Sequence, residues 1–335
     1  MDFDLSPDQL ALRDAAAAVL GDLADSARVR TVVDEPDGDR VDVGLWKAML
    51  DQGWPLAAVP ESAGGLGLGW VEAAVLLERV GAYVAPAPVL GTLVALDALA
   101  RAGRNIDLGE GWAAVASTGG REVVASLPGA SLVVAVRGDE LIATEPTAVE
   151  PVAALDRTRG MAWFDPAGVT GADVLGGADA VERHRQVGAL AHAAELLGCA
   201  QRMLDVSVAY AKDRVQFGRP IGSFQAVKHR CADMLVDVEG MRSTVWWAAW
   251  CVATGHRDAG VAVATTKSWC SQAGVRVCES ALQVHGGIGF TWDCDVHLYL
   301  KRARFDADAF GTASHHLSAL AGLLRSKVEA GESVL

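Results

Sequence analysis

No run of about 18 apolar residues, the length a membrane-spanning helix needs, occurs in these 335 residues. Nor does the start, Met1-Asp2-Phe3-Asp4, offer the basic stretch and following apolar run of a secretory leader. The expectation is a cytoplasmic protein with no membrane partner. Positive charge is scarce: Lys and Arg number 29 against 42 Asp and Glu, a formal net charge of −13. So acidic a surface repels polyanions and argues against nucleic acid as a partner. Cys-x-x-Cys spacing is missing from the six cysteines, Cys199, Cys231, Cys251, Cys270, Cys278 and Cys294. They read as reduced thiols packed in helices. Gly-x-Ser-x-Gly and Walker motifs are absent too, which removes a nucleophile elbow and a P-loop.

What is present is a helix-rich globular chain, 51% hydrophobic. Residues 1–110 read as an α-helical domain, with Ser6-Pro7 starting a helix over 4–20, a turn-rich loop over 34–39, and helices over 46–50, 71–80 and 90–100. Over 111–177 the pattern changes to short Val- and Ala-rich runs at 113–117, 122–127, 131–136, 140–144 and 161–164. Gly119-Gly120, Pro128-Gly129 and Gly138-Asp139 punctuate them, which predicts a small antiparallel β-domain. From 178 to 335 the chain is helical again. Phe224, Val227, Cys231, Met234, Val238, Met241, Val245, Ala248 and Val252 recur at alternating spacings of three and four. That apolar seam suits one long helix of a four-helix bundle, with partners over 190–212, 260–282 and 314–329.

Two segments of this bundle could carry chemistry. Arg214-Val215-Gln216-Phe217-Gly218-Arg219-Pro220-Ile221-Gly222-Ser223-Phe224-Gln225 joins two helices, and Leu282-Gln283-Val284-His285-Gly286-Gly287-Ile288-Gly289-Phe290 ends another. An arginine on a rigid turn can make paired hydrogen bonds to a pyrophosphate. Adjacent glycines let backbone N–H groups approach phosphate or ribityl oxygens. Taken singly, the glycines read as a helix C-cap. Neither segment follows a strand in a βαβ unit, so neither is a Rossmann fingerprint.

Together and in this order, these segments resemble the acyl-CoA dehydrogenase family. The likeness extends to Met1-Asp2-Phe3-Asp4-Leu5-Ser6-Pro7-Asp8-Gln9, to Val59-Pro60-Glu61 with Gly64-Gly65-Leu66-Gly67, and to Leu155-Asp156-Arg157-Thr158-Arg159. The resemblance implies an α-β-α fold, FAD, a CoA thioester substrate and tetramers built as pairs of dimers. It also implies that Arg214, Gln216, Phe217, Gln225, Gln283, Gly286 and Gly287 serve an FAD seated in a neighbouring subunit, shared across the interface.

Other positions depart from the family. Its chemistry removes an α-proton, which needs a carboxylate beside Cα, and members supply a Glu in a Glu-Gly-Thr turn. Here that turn reads Phe310-Gly311-Thr312. The alternative base position, at the start of the first bundle helix, falls on Gly188. Of the nearby carboxylates, Asp308 could act only if the turn shifts register. Asp306 and Asp308 otherwise read as solvated groups at a helix end, and Glu195 lies nearly two helical turns from Gly188. Trp112 to Gly120 replaces the family's Thr-Glu-Pro-x-Ala-Gly-Ser-Asp stretch, which meets the flavin ring, while Thr144-Glu145-Pro146 follows a later strand and is a lookalike.

These losses lie on one side, because the proton acceptor and ring cradle are gone while the residues a neighbour would borrow remain. The pattern resembles the shortened subunits of actinobacterial heterotetrameric enzymes acting on steroid side-chain CoA thioesters. It implies an α2β2 partner carrying the catalytic Glu. Two other readings stand beside it: a homomeric flavoenzyme using Asp308 or another unusual base, and a flavin-free acyl-CoA-binding or scaffold protein. Asp293, Asp295 and His297 imitate metal ligands, but no second cluster supports them and no metal is expected. His315 and His316 read as surface or interface residues. Trp246, Trp247 and Trp250 read as core or subunit packing, Trp246 and Trp250 sharing a face.

Overall fold

A computed structural model describes residues 4–35, 38–147 and 149–333. Met1 to Phe3 of the opening motif and Pro36-Asp37 of the 34–39 loop lie outside them. The N-terminal helices are α1 (Pro7–Leu23), α2 (Ser26–Asp34), α3 (Val43–Asp51), α4 (Trp70–Ala82) and α5 (Val89–Arg101). Ser6 does start α1: its hydroxyl accepts from Gln9 N at 3.2 Å, and Gln9 Oε1 accepts from Ser6 N at 2.9 Å, a reciprocal cap that satisfies two end donors.

Strands β1 (Ala113–Val115), β2 (Glu122–Ala125), β3 (Leu132–Arg137), β4 (Glu140–Thr144), β5 (Glu150–Pro151), β6 (Met161–Phe164) and β7 (Asp173–Gly176) follow. They form two sheets, ordered β1-β3-β4-β7 and β2-β6-β5. The expected all-antiparallel domain needs one correction: β1 pairs with β3 in parallel, Ala113 opposite Leu132. The intervening β2 belongs to the other sheet, so the return from β1 to β3 is a crossover and not a hairpin. Ala114, Val124, Leu127, Val133, Ile142 and Phe164 are buried together between the sheets.

The last domain holds α6 (Ala178–Asp213), α7 (Gln225–Thr254), α8 (Ala259–His285), α9 (Val296–Asp308) and α10 (Ala313–Glu329), with a small hairpin of β8 (Val215–Gln216) and β9 (Arg219–Pro220) between α6 and α7. α8 touches α6, α7, α9 and α10. Neither α2 nor α9 is among the helices expected from the periodicity. The α7 seam is buried from Met234 through Val252, but Phe224, Val227 and Cys231 are only half-buried. α4 and α6 cross almost backbone to backbone. A Cβ on Gly81 would lie 2.0 Å from Glu195 O, and one on Gly198 would lie 1.8 Å from Glu78 O. This crossing fixes α6 against the N-terminal domain and sets Glu195 beneath the site.

Candidate active site

A cavity of about 310 Å³ lies where α5, β2, α6 and α9 meet, with Arg159, His192, Glu195, Asp308 and Phe310 in its wall. Its floor is a buried ionic cluster. Arg159 bridges Glu195 and, at 3.1 Å, Asp306; Arg302 bridges Glu195 at 2.6 Å and Asp156 at 2.9 Å. His192 Nδ1 lies 2.9 Å from Asp306 Oδ1. Lys267, fully buried, donates to the Asp306 and Ala307 carbonyls at 2.8 and 2.9 Å and so closes the end of α9.

Opposite charges favour the ionised forms of Arg159 and Asp306. Burial opposes the Arg159 charge, yet Asp306, Glu195 and Asp156 outweigh it and raise its pKa. Burial likewise pushes Asp306 up, but Arg159, the His192 hydrogen bond and Arg302 prevail and bring it to about 2. Burial dominates at His192, whose pKa is lowered despite Asp306. Burial also lowers Lys267, to about 8.

These facts correct the reading of the spare carboxylates. Asp306 is no solvated helix-end group: it is wholly buried and a weak proton acceptor. Glu195 is buried and committed to two arginines. His192, Glu195 and Asp306 lie close enough to suggest a metal triad, but Arg159 and Arg302 already neutralise the carboxylates a cation would need. Asp308 is the exposed carboxylate of the cavity wall.

Phe310 is buried and holds a left-handed backbone, φ +56°. Its ring lies 5.3 Å from the His184 ring and 5.6 Å from that of His192. A Cβ built on Gly188 would meet Phe310 Cε1 at 2.0 Å. The two positions from which a base was sought therefore touch, and an aromatic ring fills the space between them. His316 corrects another expectation: it is buried, and its Nε2 donates to the Phe310 carbonyl at 2.9 Å. Burial lowers both His184 and His316 to about 4, so both are neutral at pH 7. His315 is exposed.

Beside this ring, Glu122 turns its carboxylate onto the loop after β1. Glu122 Oε1 accepts from Ser117 N at 2.8 Å, Thr118 N at 2.7 Å and Thr118 Oγ1 at 3.0 Å. Donors in the stretch that replaces the family's ring-contacting motif are thus satisfied from within the chain.

The other predicted residues lie at the far end of α6. From Glu195 to Asp213 the helix runs about 27 Å at 1.5 Å per residue. Arg214, Gln216, Phe217, Gln225, Gln283 and Gly287 are exposed there, and Gly286 is half-buried. Phe217 is 92% exposed at φ +52°, on a hairpin whose Arg219 lies over Phe224 at 4.2 Å. Tyr210 stacks on His285 at 4.5 Å, so the Gln283–Gly287 turn and the Arg214 hairpin share one end of the bundle. Asp295 pairs with Arg30 at 2.8 Å, and His297 stacks on Trp292 at 4.8 Å. Trp246 is buried, whereas Trp247 and Trp250 are half-buried. Among the described residues no helix is long and apolar enough to cross a membrane.

This chain belongs to the acyl-CoA dehydrogenase family: the family's N-terminal domain matches residues 6–105 and its C-terminal domain residues 176–322. It is 36% identical over 321 residues to the acyl-CoA dehydrogenase IpdE2 of Mycolicibacterium smegmatis, covering 94% of this chain and 98% of that one. Among solved structures it is similar to the ChsE4-ChsE5 complex from Mycobacterium tuberculosis, 29% identical with TM-score 0.86 over the whole of both chains. It is also similar to the Tcur3481-Tcur3483 steroid ACAD G363A variant, 29% identical with TM-score 0.84 over 96% of this chain and 99% of that one.

Proposed function

We propose that this chain is a non-catalytic subunit of a heteromeric, α2β2 acyl-CoA dehydrogenase that lends residues to its partner's FAD. The enzyme would introduce an α,β double bond into an acyl-CoA thioester, with steroid side-chain CoA thioesters as the substrate class. One observation carries the reading. At Phe310 and Gly188, where the family pattern leads one to expect the base, there is a buried aromatic ring over a glycine, and neither group can accept a proton. The partner therefore supplies the carboxylate. The complexes to which the chain is similar, ChsE4-ChsE5 and Tcur3481-Tcur3483, support the heteromeric part.

FAD, when bound, supplies the hydride acceptor. This chain's share is binding and orientation. Arg214 would bond the pyrophosphate in a bidentate way, and the open backbone at Gly286-Gly287 would approach the nucleotide closely. Gln216, Phe217, Gln225 and Gln283 would line the same face. The exposure of these residues at one end, remote from the chain's own cavity, fits service to a neighbour. Arg214→Ala should lower the flavin retained by the co-purified complex several-fold while the complex still assembles; full retention rules the assignment out. Asp308→Asn should leave turnover undiminished, whereas a loss of a hundredfold or more would restore the homomeric reading.

A further inference from the structure

A second cavity, of about 490 Å³, lies on the other side of Phe310, between α6, α8 and α10. Ser117, Thr118 and Phe310 line both cavities, so these residues form the partition between them. The partition is held from several sides. Glu122 fixes Ser117 and Thr118 from below. From α6, His184 Nε2 lies 3.0 Å from Ala116 O and Arg185 Nε donates to Ser117 O at 3.3 Å. Phe310 itself is clamped through its carbonyl by His316, and its ring is packed by His184 and His192.

We propose that Phe310 is a stopper that divides a single acyl-binding channel into two chambers, so that this chain cannot take an acyl-CoA into its own interior. The chamber toward α5 has one apolar wall, of Ala87, Pro88, Leu90 and Val115, facing the ionic floor of Arg159, His192 and Glu195, and that wall suits an alkyl tail. The other is polar at its rim, with Arg185, Gln186 and His315, and apolar at Val263 and Leu323, suited to the thioester end of the same ligand. Of the three shared residues Phe310 carries the bulk, and its ring packs directly on the Gly188 backbone. The ligand class rests on the family reading above, while the partition stands on the geometry alone.

Phe310→Gly tests the proposal. Glycine removes the ring and suits the left-handed backbone; Phe310→Asn, also tolerant of that conformation, serves if the glycine variant does not fold. Octanoyl-CoA is titrated calorimetrically into the purified full chain. The wild type is expected to give no saturable binding, and the variant to bind at least about tenfold more tightly. Saturable binding by the wild type at the affinity of the variant overturns the proposal. So does a folded variant, with native helical circular dichroism, that binds no better than wild type. Flavin content of the complex reads the subunit assignment separately, so either idea can fail without the other.

Discussion

Gly188→Ala sets two opposing effects of different size against each other. In a helix interior, replacing glycine with alanine is favourable by roughly 0.5–1 kcal/mol. Here the new Cβ would lie 2.0 Å from Phe310 Cε1 and 2.2 Å from Cδ1. The ring has little room to turn away, being 8% exposed and flanked by two histidines. Overpacking of this kind costs about 1–3 kcal/mol, and so deep an overlap belongs at the upper end. The net expectation is a loss of roughly 1–2 kcal/mol in the wild-type background. In the Phe310→Gly background the same change should gain about 0.5–1 kcal/mol. The sign reversal corresponds to a coupling of about 2–3 kcal/mol. Urea unfolding of the four proteins, followed by far-UV circular dichroism, measures it. Equal shifts of the midpoint in both backgrounds would refute the placement of the ring over Gly188.

Three further outcomes follow from the buried ionisable groups. Glu195→Gln leaves Arg159 and Arg302 short of a counter-charge and should cost about 3–5 kcal/mol in urea unfolding; a loss below about 1 kcal/mol would show that the cluster is not a joint between domains. His184 and His316 have folded pKa values of about 4 against roughly 6.5 when unfolded. The unfolded chain therefore binds more protons between those values, and stability should fall as pH drops from about 6.5 to about 4. Unfolding midpoints at three pH values in that window check the slope, which His316→Gln should reduce. Below about pH 4 a further loss is expected as Asp306, held at about 2, begins to protonate. There too the unfolded chain takes up protons first, and Asp306→Asn should remove that component of the acid slope.

The architecture was largely legible because it is written in short-range patterns. The spacing of three and four along α7, the Ser6 cap and the glycine-bearing turns each act within a few residues. What escaped depends on pairings across the chain. Asp156 and Arg159 meet Glu195, Arg302 and Asp306 only after the β-domain folds onto α6 and α9, so Asp306 reads from the sequence as a solvated helix-end group and Glu195 as a carboxylate without a role. Phe310 and Gly188 were each marked by comparison with the family, but they sit at opposite ends of the bundle's sequence and no spacing signals their contact. Glu122 carried no signal as a loop anchor, since its role follows from the turn at Ser117 and Thr118 and not from its place in β2. The parallel pairing of β1 and β3 was hidden for a related reason: strand runs do not reveal which sheet each will join. The half-buried start of the α7 seam, at Phe224, Val227 and Cys231, had the converse character. Its period was plain, while its partial exposure within one chain emerged only from the fold.

The most direct measurement is the visible spectrum and mass of the chain purified alone and of the complex formed with a full-length family member carrying Glu-Gly-Thr. The isolated chain should be colourless and the hetero-oligomer yellow. One FAD per chain in the isolated protein would contradict it.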